Sequence, residues 1–160
     1  MNNLILSLVA GGLGATLAIG VLSYAEVSLT EVVLLMAPFG ATAVLVFGGV
    51  PSSPLAQPKN VIIGHFITAS IGIAFSQYVE ITPITLAIAT GLGVSAMLIT
   101  KTTHPPAGAN PILIMASGQG GWSFLFTPVL IGAVVIVLVG KALQLLQSQY
   151  LTPRLNGQKT

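Results

Sequence analysis

The sequence has very little charge and no cysteine. Asp, Glu, Lys and Arg make up 5% of its 160 residues, against about 25% in an average soluble domain. Five basic and three acidic side chains cannot coat a water-facing surface. That excludes a soluble globular enzyme, a disordered chain and a nucleic-acid binder, since the last needs clustered Lys and Arg. Without cysteine there are no disulfides, thiolate metal sites or cysteine nucleophiles. Aromatic residues, at 6%, are too few for an aromatic-lined cofactor pocket. There is no Ser/His/Asp arrangement, no carboxylate pair within an apolar run, no phosphate loop and no dinucleotide fingerprint. The expectation is therefore a protein that is not an enzyme and takes no cofactor, metal or nucleic acid. The opening Met1-Asn2-Asn3 lacks the basic region of a secretory signal, so the first apolar run is expected to stay in the protein.

What the chain does have is apolar length: 54% hydrophobic residues and a mean hydropathy of +0.96. A helix needs about 20 apolar residues to cross the hydrocarbon. Leu4 to Leu22, Leu29 to Val50, Val61 to Val79 and Trp122 to Leu146 meet that length. Ile84 to Thr100 is shorter, and the run from Pro105 to Ser117 shorter still. Trp122 and Tyr24 mark interfaces.

Two places share a pattern, Pro38-Phe39-Gly40-Ala41-Thr42 and Pro106-Ala107-Gly108-Ala109-Asn110. With Gly-Leu-Gly at residues 12–14 and 91–93, this reads as a degenerate internal repeat with halves 1–80 and 81–150. Six crossings, near 4–22, 30–50, 60–79, 84–101, 103–119 and 122–146, place Lys59, Lys101, Lys141, Arg154 and Lys159 on one side and Glu26, Glu31 and Glu80 on the other. Four crossings, with 29–50 and 105–117 re-entrant, would break that segregation, so the positive-inside tendency favours six with both termini cytoplasmic. Three crossings per half make the halves inverted. The expected fold is thus all-α and polytopic: two inverted repeats with a broken or re-entrant helix in each half. One transmembrane domain covers 1–150 and a cytoplasmic tail 151–160, in the inner (plasma) membrane.

Proline breaks a helix because it lacks an N–H donor and clashes with the preceding turn. After each break, Gly40-Ala41-Thr42 and Gly108-Ala109-Asn110 would offer free backbone N–H groups, small side chains for close approach, and a polar Thr or Asn at the positive end of a helix dipole. Gly40 and Gly108 are the expected close-approach positions, with Gly20 and Gly132 as ordinary helix glycines for contrast. His65 and His104 are ionisable groups beside membrane segments, where such groups are costly and often functional. A protonated imidazole could hold an anion or relay a proton. A neutral one could simply cap a carbonyl. Lys59 and Lys101 could offset the desolvation of an anion or serve only as topology anchors. The candidate substrate-binding set is Pro38, Gly40, Ala41, Thr42, Lys59, Asn60, His65, Lys101, Thr103, His104, Pro105, Pro106, Gly108, Ala109 and Asn110. The three glutamates flank spans, where they are most simply solvated.

Thr103-His104-Pro105-Pro106-Ala107-Gly108-Ala109 resembles the signature of the HPP family of integral membrane proteins. Ala37-Pro38-Phe39-Gly40-Ala41 with the following apolar run, and Ser53-Pro54-Leu55-Ala56-Gln57-Pro58-Lys59-Asn60 running into Gly64-His65, resemble the family's other two blocks in the same order. The resemblance covers about residues 5–145 and makes 1–150 an HPP domain. It implies nitrite transport, because cyanobacterial and chloroplast members are implicated in it. Family members are usually described with about four spans, against the six favoured by the charges. The reading is therefore a transporter or channel for a small monovalent anion, most readily nitrite, in a lipid bilayer and as a homo-oligomer, since one short chain leaves little room for a pore. The alternative is a non-transporting membrane subunit that supports assembly or regulation of a larger complex.

Overall fold

Prolines decide where most of the helices begin. The computed structural model describes residues 2–29, 32–48, 53–118 and 121–150. Six α-helices occur among them: α1 Asn2–Ser28, α2 Pro38–Phe47, α3 Pro58–Tyr78, α4 Pro83–Ile99, α5 Asn110–Ser117 and α6 Ile131–Tyr150. There is no strand among the described residues. Glu31, Arg154, Lys159 and the expected tail 151–160 lie outside them. Proline stands in the first turn of α2, α3, α4 and α5, where its missing N–H would be unpaired in any residue and its fixed φ suits the helix. Thr82 adds a capping box to α4: its hydroxyl accepts from the Thr85 amide at 3.2 Å, and the Thr85 hydroxyl accepts from the Thr82 amide at 2.9 Å.

Three helical stretches are long and apolar enough to cross a membrane unaided: Val9–Ser28, Pro58–Tyr78 and Leu125–Leu146. α4 is an unbroken but shorter apolar helix, and the segments around Pro38 and Pro105 are broken, as the prolines led one to expect. Residues 32–36 are not helical, and α2 has only 10 residues, about 15 Å. Past Lys101, the chain leaves helical geometry through His104 (φ −138°), makes a tight turn of 3₁₀ type over Pro105–Ala109, and then forms the 8-residue α5. In the last span an irregular turn over Leu125–Leu130, with a cis Thr127–Pro128 bond, precedes α6.

Contacts fix the direction of each segment. The Leu34 and Leu35 amides donate to the Glu26 carboxylate at 2.8 and 2.7 Å, while Phe47, at the other end of α2, packs its carbonyl on Gly11. The stretch of α1 from Gly11 to Glu26 is about 22 Å long, so residues 34–47 traverse that depth rather than doubling back. On α3, Gly64 lies against Thr102 and His104, and Gly72 against Pro111. Tyr78, at the end of α3, accepts from the Trp122 indole at 3.5 Å. Residues 102–118, with Trp122 beyond them, therefore run along α3 in its own direction over about 21 Å. α4 runs the opposite way, with Gly93 on Thr68 and Met97 on Gly64. α6 returns antiparallel to α1: Gly132 meets Phe39 and Leu34, Gly140 meets Val46, and Leu143 meets Gly14.

These directions put Lys59, Lys101 and Lys141 toward one face of the bundle and Glu26 and Glu80 toward the other. The core between the layers holds Phe39, Val61, Ala69, Ile73, Ile114, Val129 and Ile136, all fully buried. Outward positions such as Leu17, Ile88, Val94 and Leu138 are large and exposed, as a lipid-facing surface requires.

Candidate functional site

The fully buried polar side chains among the described residues are Thr42, His65, Thr68, Thr102, His104 and Asn110. Five of them, all but Thr102, form one hydrogen-bonded cluster where the two broken segments meet α3. The Thr42 hydroxyl, one turn into α2, lies 2.9 Å from His65 Nε2, 3.0 Å from His104 Nε2 and 3.1 Å from the Pro38 carbonyl oxygen. On the far side of the His65 ring, Asn110 Nδ2 lies 3.0 Å from Nδ1, 3.2 Å from the His65 carbonyl oxygen and 3.0 Å from the Thr68 hydroxyl. His104 Nδ1 sits 2.7 Å from the Leu55 carbonyl oxygen. The two imidazoles meet edge to face with centroids 5.1 Å apart, and the Phe39 ring stands 5.3 Å from His65 on another edge.

These partners determine the tautomers. A carbonyl accepts only, so His104 carries its hydrogen on Nδ1 and a neutral ring presents a lone pair at Nε2. Asn110 Nδ2 donates, so His65 Nδ1 is an acceptor and its hydrogen sits on Nε2, facing Thr42. Turning the Asn110 amide over would set Oδ1 against the His65 carbonyl, two acceptors face to face. Asn110 Oδ1 is buried with no hydrogen-bond partner.

Local sequence explains the meeting. Gly64, Thr68 and Gly72 are four residues apart and line one stripe of α3. A Cβ at Gly64 would lie 3.0 Å from both His104 Cβ and the Thr102 carbonyl, and one at Gly72 would lie 2.8 Å from Pro111 Cα. Across the bundle, the Phe39 ring occupies the space that a side chain on Gly132 would take.

The sequence matches the family model "HPP, transmembrane region" over residues 2–152. The chain belongs to the HPP family. Two transmembrane proteins of Dictyostelium discoideum are 34% identical to it over 129 residues, 76% of this chain. The chain spans 41% of the length of one and 45% of the other. No solved structure matches it.

Within this HPP domain the structure brings Thr42, His65, His104 and Asn110 together, with Pro38 as the Thr42 acceptor. Asn60 supports them from outside, donating to the Thr103 carbonyl at 2.9 Å and so tying α3 to the residue before His104. Pro105, Pro106, Ala41 and Ala109 do not face the cluster's polar atoms; with Pro38 and Val44 they line an apolar groove of about 790 Å³. Lys59 and Lys101 are exposed and have no place in the cluster. Lys101 instead occupies the left-handed position after α4 (φ 54°), with the Lys101 and Thr102 amides bonded back to Leu98 and Met97 in a Schellman turn.

The helix-start expectation needs correction. The Phe39 and Gly40 amides already donate to the Met36 and Ala37 carbonyls, and the Ala107 amide to His104. No protein atom from the neighbouring elements lies within 4 Å of a Cβ placed on Gly40 or Gly108, whereas one on Gly132 would meet Phe39 and Leu34. Sequence reasoning also missed Thr68, the Leu55 carbonyl, and Glu26, which is half-buried and bonded rather than simply solvated. The four-residue spacing of Gly64, Thr68 and Gly72 was the available signal for Thr68.

Proposed function

We propose that this HPP domain carries a small monovalent anion across the membrane, with nitrite the substrate to which the family resemblance points. The observation that carries the reading is the buried Thr42–His65–His104–Asn110 cluster, set where two broken segments meet inside an otherwise apolar chain. Ionisable groups at such depth are costly and are kept where they serve a pathway.

The two halves are read as an inverted pair. The broken segments 34–47 and 102–118 run in opposite directions, and the fifth residues of the repeated pattern, Thr42 and Asn110, take the two ring nitrogens of the same histidine. Positive-inside bias then puts the lysine-bearing face in the cytoplasm. Assembly into a homo-oligomer belongs to the same proposal and is read out by the mass of the detergent-solubilised particle.

The test is uptake into liposomes containing only this protein, compared with protein-free vesicles across nitrite, nitrate, formate and chloride. Nitrite flux above background that falls to background in His104→Ala is the expected result. Purified protein that moves none of the four would overturn the reading in favour of the non-transporting subunit.

A further inference from the structure

We propose that the anion crosses together with one proton, held on His104 Nε2. This rests on the transport reading above and adds its coupling ion. The argument begins with a hydrogen count. With both rings neutral, His65 Nε2–H donates to Thr42, whose single hydroxyl hydrogen then faces two acceptors, His104 Nε2 and the Pro38 carbonyl oxygen. The Pro38 carbonyl already accepts the Thr42 amide within α2, so the neutral network is complete with the hydroxyl on His104. A proton added at His104 Nε2 is accommodated as well: that N–H donates to the second lone pair of Thr42, and the Thr42 hydroxyl turns to Pro38. A proton added at His65 Nδ1 would instead face the Asn110 amide hydrogens, donor against donor. The cluster therefore has one place for a proton.

Charge makes the coupling obligatory. Every described Lys and Glu on the elements packed around the cluster lies outside it. Lys59 is in the first turn of α3 and Glu80 follows its end, Lys101 follows α4, and Lys141 is on α6, all exposed; Glu26 on α1 is engaged by Leu34 and Leu35. Among the described residues, an anion entering this site meets no fixed cation, and an imidazolium there meets no fixed anion. Either ion alone is buried and uncompensated; together they form a pair. The proton bonds to the Nε2 lone pair on one side of the membrane and leaves it on the other, no other bond changes, and the cargo is electrically neutral.

The experiment follows nitrite, internal pH and membrane potential together in proteoliposomes, with the protein-free rate subtracted because nitrous acid crosses bilayers unaided. One proton should enter per nitrite, and a potassium–valinomycin potential should leave the rate unchanged. Thr42→Val should lower the coupled flux about tenfold or more, the loss of one hydrogen bond to a charged group, while Thr42→Ser retains it. Nitrite flux driven by potential without proton entry would overturn the coupling and leave the transport reading standing. Absence of any flux would overturn the transport reading and the coupling with it. Independently of flux, ¹⁵N spectra of the histidines in detergent should show His65 as Nε2–H and His104 as Nδ1–H, with saturating nitrite doubly protonating His104 alone. Nitrite binding that leaves His104 neutral, or charges His65, would overturn the proposal.

Discussion

Replacing Thr42 by valine keeps its shape and removes one oxygen. That oxygen is the shared partner of His65 Nε2 and His104 Nε2, and all three side chains are fully buried. Valine leaves both ring nitrogens without a partner in a place water does not reach. A buried polar group left unpaired costs about 1–3 kcal/mol, so the pair comes to about 2–6 kcal/mol. Thr42→Ser keeps the oxygen and loses a methyl group, costing about 1 kcal/mol. The ordering is the prediction, measured as the shift in unfolding midpoint in mixed detergent micelles. Valine should be the more damaging by several kcal/mol although it preserves volume. If serine is the worse of the two, methyl packing rather than the hydroxyl holds the cluster, and the hydrogen count at His104 loses its basis.

Gly132→Ala should destabilise by about 1–3 kcal/mol through overpacking and, because the displaced Phe39 ring abuts His65, should also shift the His65 ¹⁵N signals. Gly40→Ala and Gly108→Ala should be neutral or slightly stabilising, a reversal that thermal unfolding of the three variants would check. Glu26→Ala removes the acceptor for two backbone amides and should cost about 1–3 kcal/mol, and Glu26→Gln should recover part of it. Lys101→Gly relieves a left-handed backbone and should stabilise by about 1 kcal/mol. A loss of stability there would show that the lysine side chain makes a contact that matters. Labelling a lone cysteine at Ser53 or Gln77 with an impermeant reagent in intact cells should modify only Gln77→Cys, and the reverse pattern would invert the assigned orientation.

Features carried by near neighbours in sequence were legible. Pro38 was read as a break followed by a helix start, and α2 begins there; the repeated Pro-x-Gly-Ala pattern picked out Thr42 and Asn110, which the fold sets on the two nitrogens of His65. What was not legible depends on which helix faces meet. Gly132 reads locally as an ordinary helix glycine; only the arrival of Phe39 beside it makes it a packing glycine. Glu26 reads as an interfacial charge until the chain folds back and presents two unpaired amides eight and nine residues later. Of the two readings open for the lysines, topology anchor fits their exposed positions. Closeness in sequence placed Lys101 beside His104, but the turn after α4 points the chain through a left-handed residue, leaving that side chain exposed.

The same geometry explains how a repeat can be useful without being symmetric. If both patterned positions were asparagine, both nitrogens of His65 would face a group able to donate or accept only by turning a whole amide, and each would be fixed by its packing. Threonine differs, because its hydroxyl donates and accepts by rotating one hydrogen, at no cost in heavy-atom movement. Asn110 thus fixes the His65 tautomer while Thr42 leaves the state of His104 free to change. The second histidine breaks the symmetry further: it comes from the His-Pro-Pro sequence of the later segment, and the matching position of the earlier segment is Met36. One half supplies the proton acceptor, the other supplies the hydroxyl that adjusts to it, and α3 holds the ring between them.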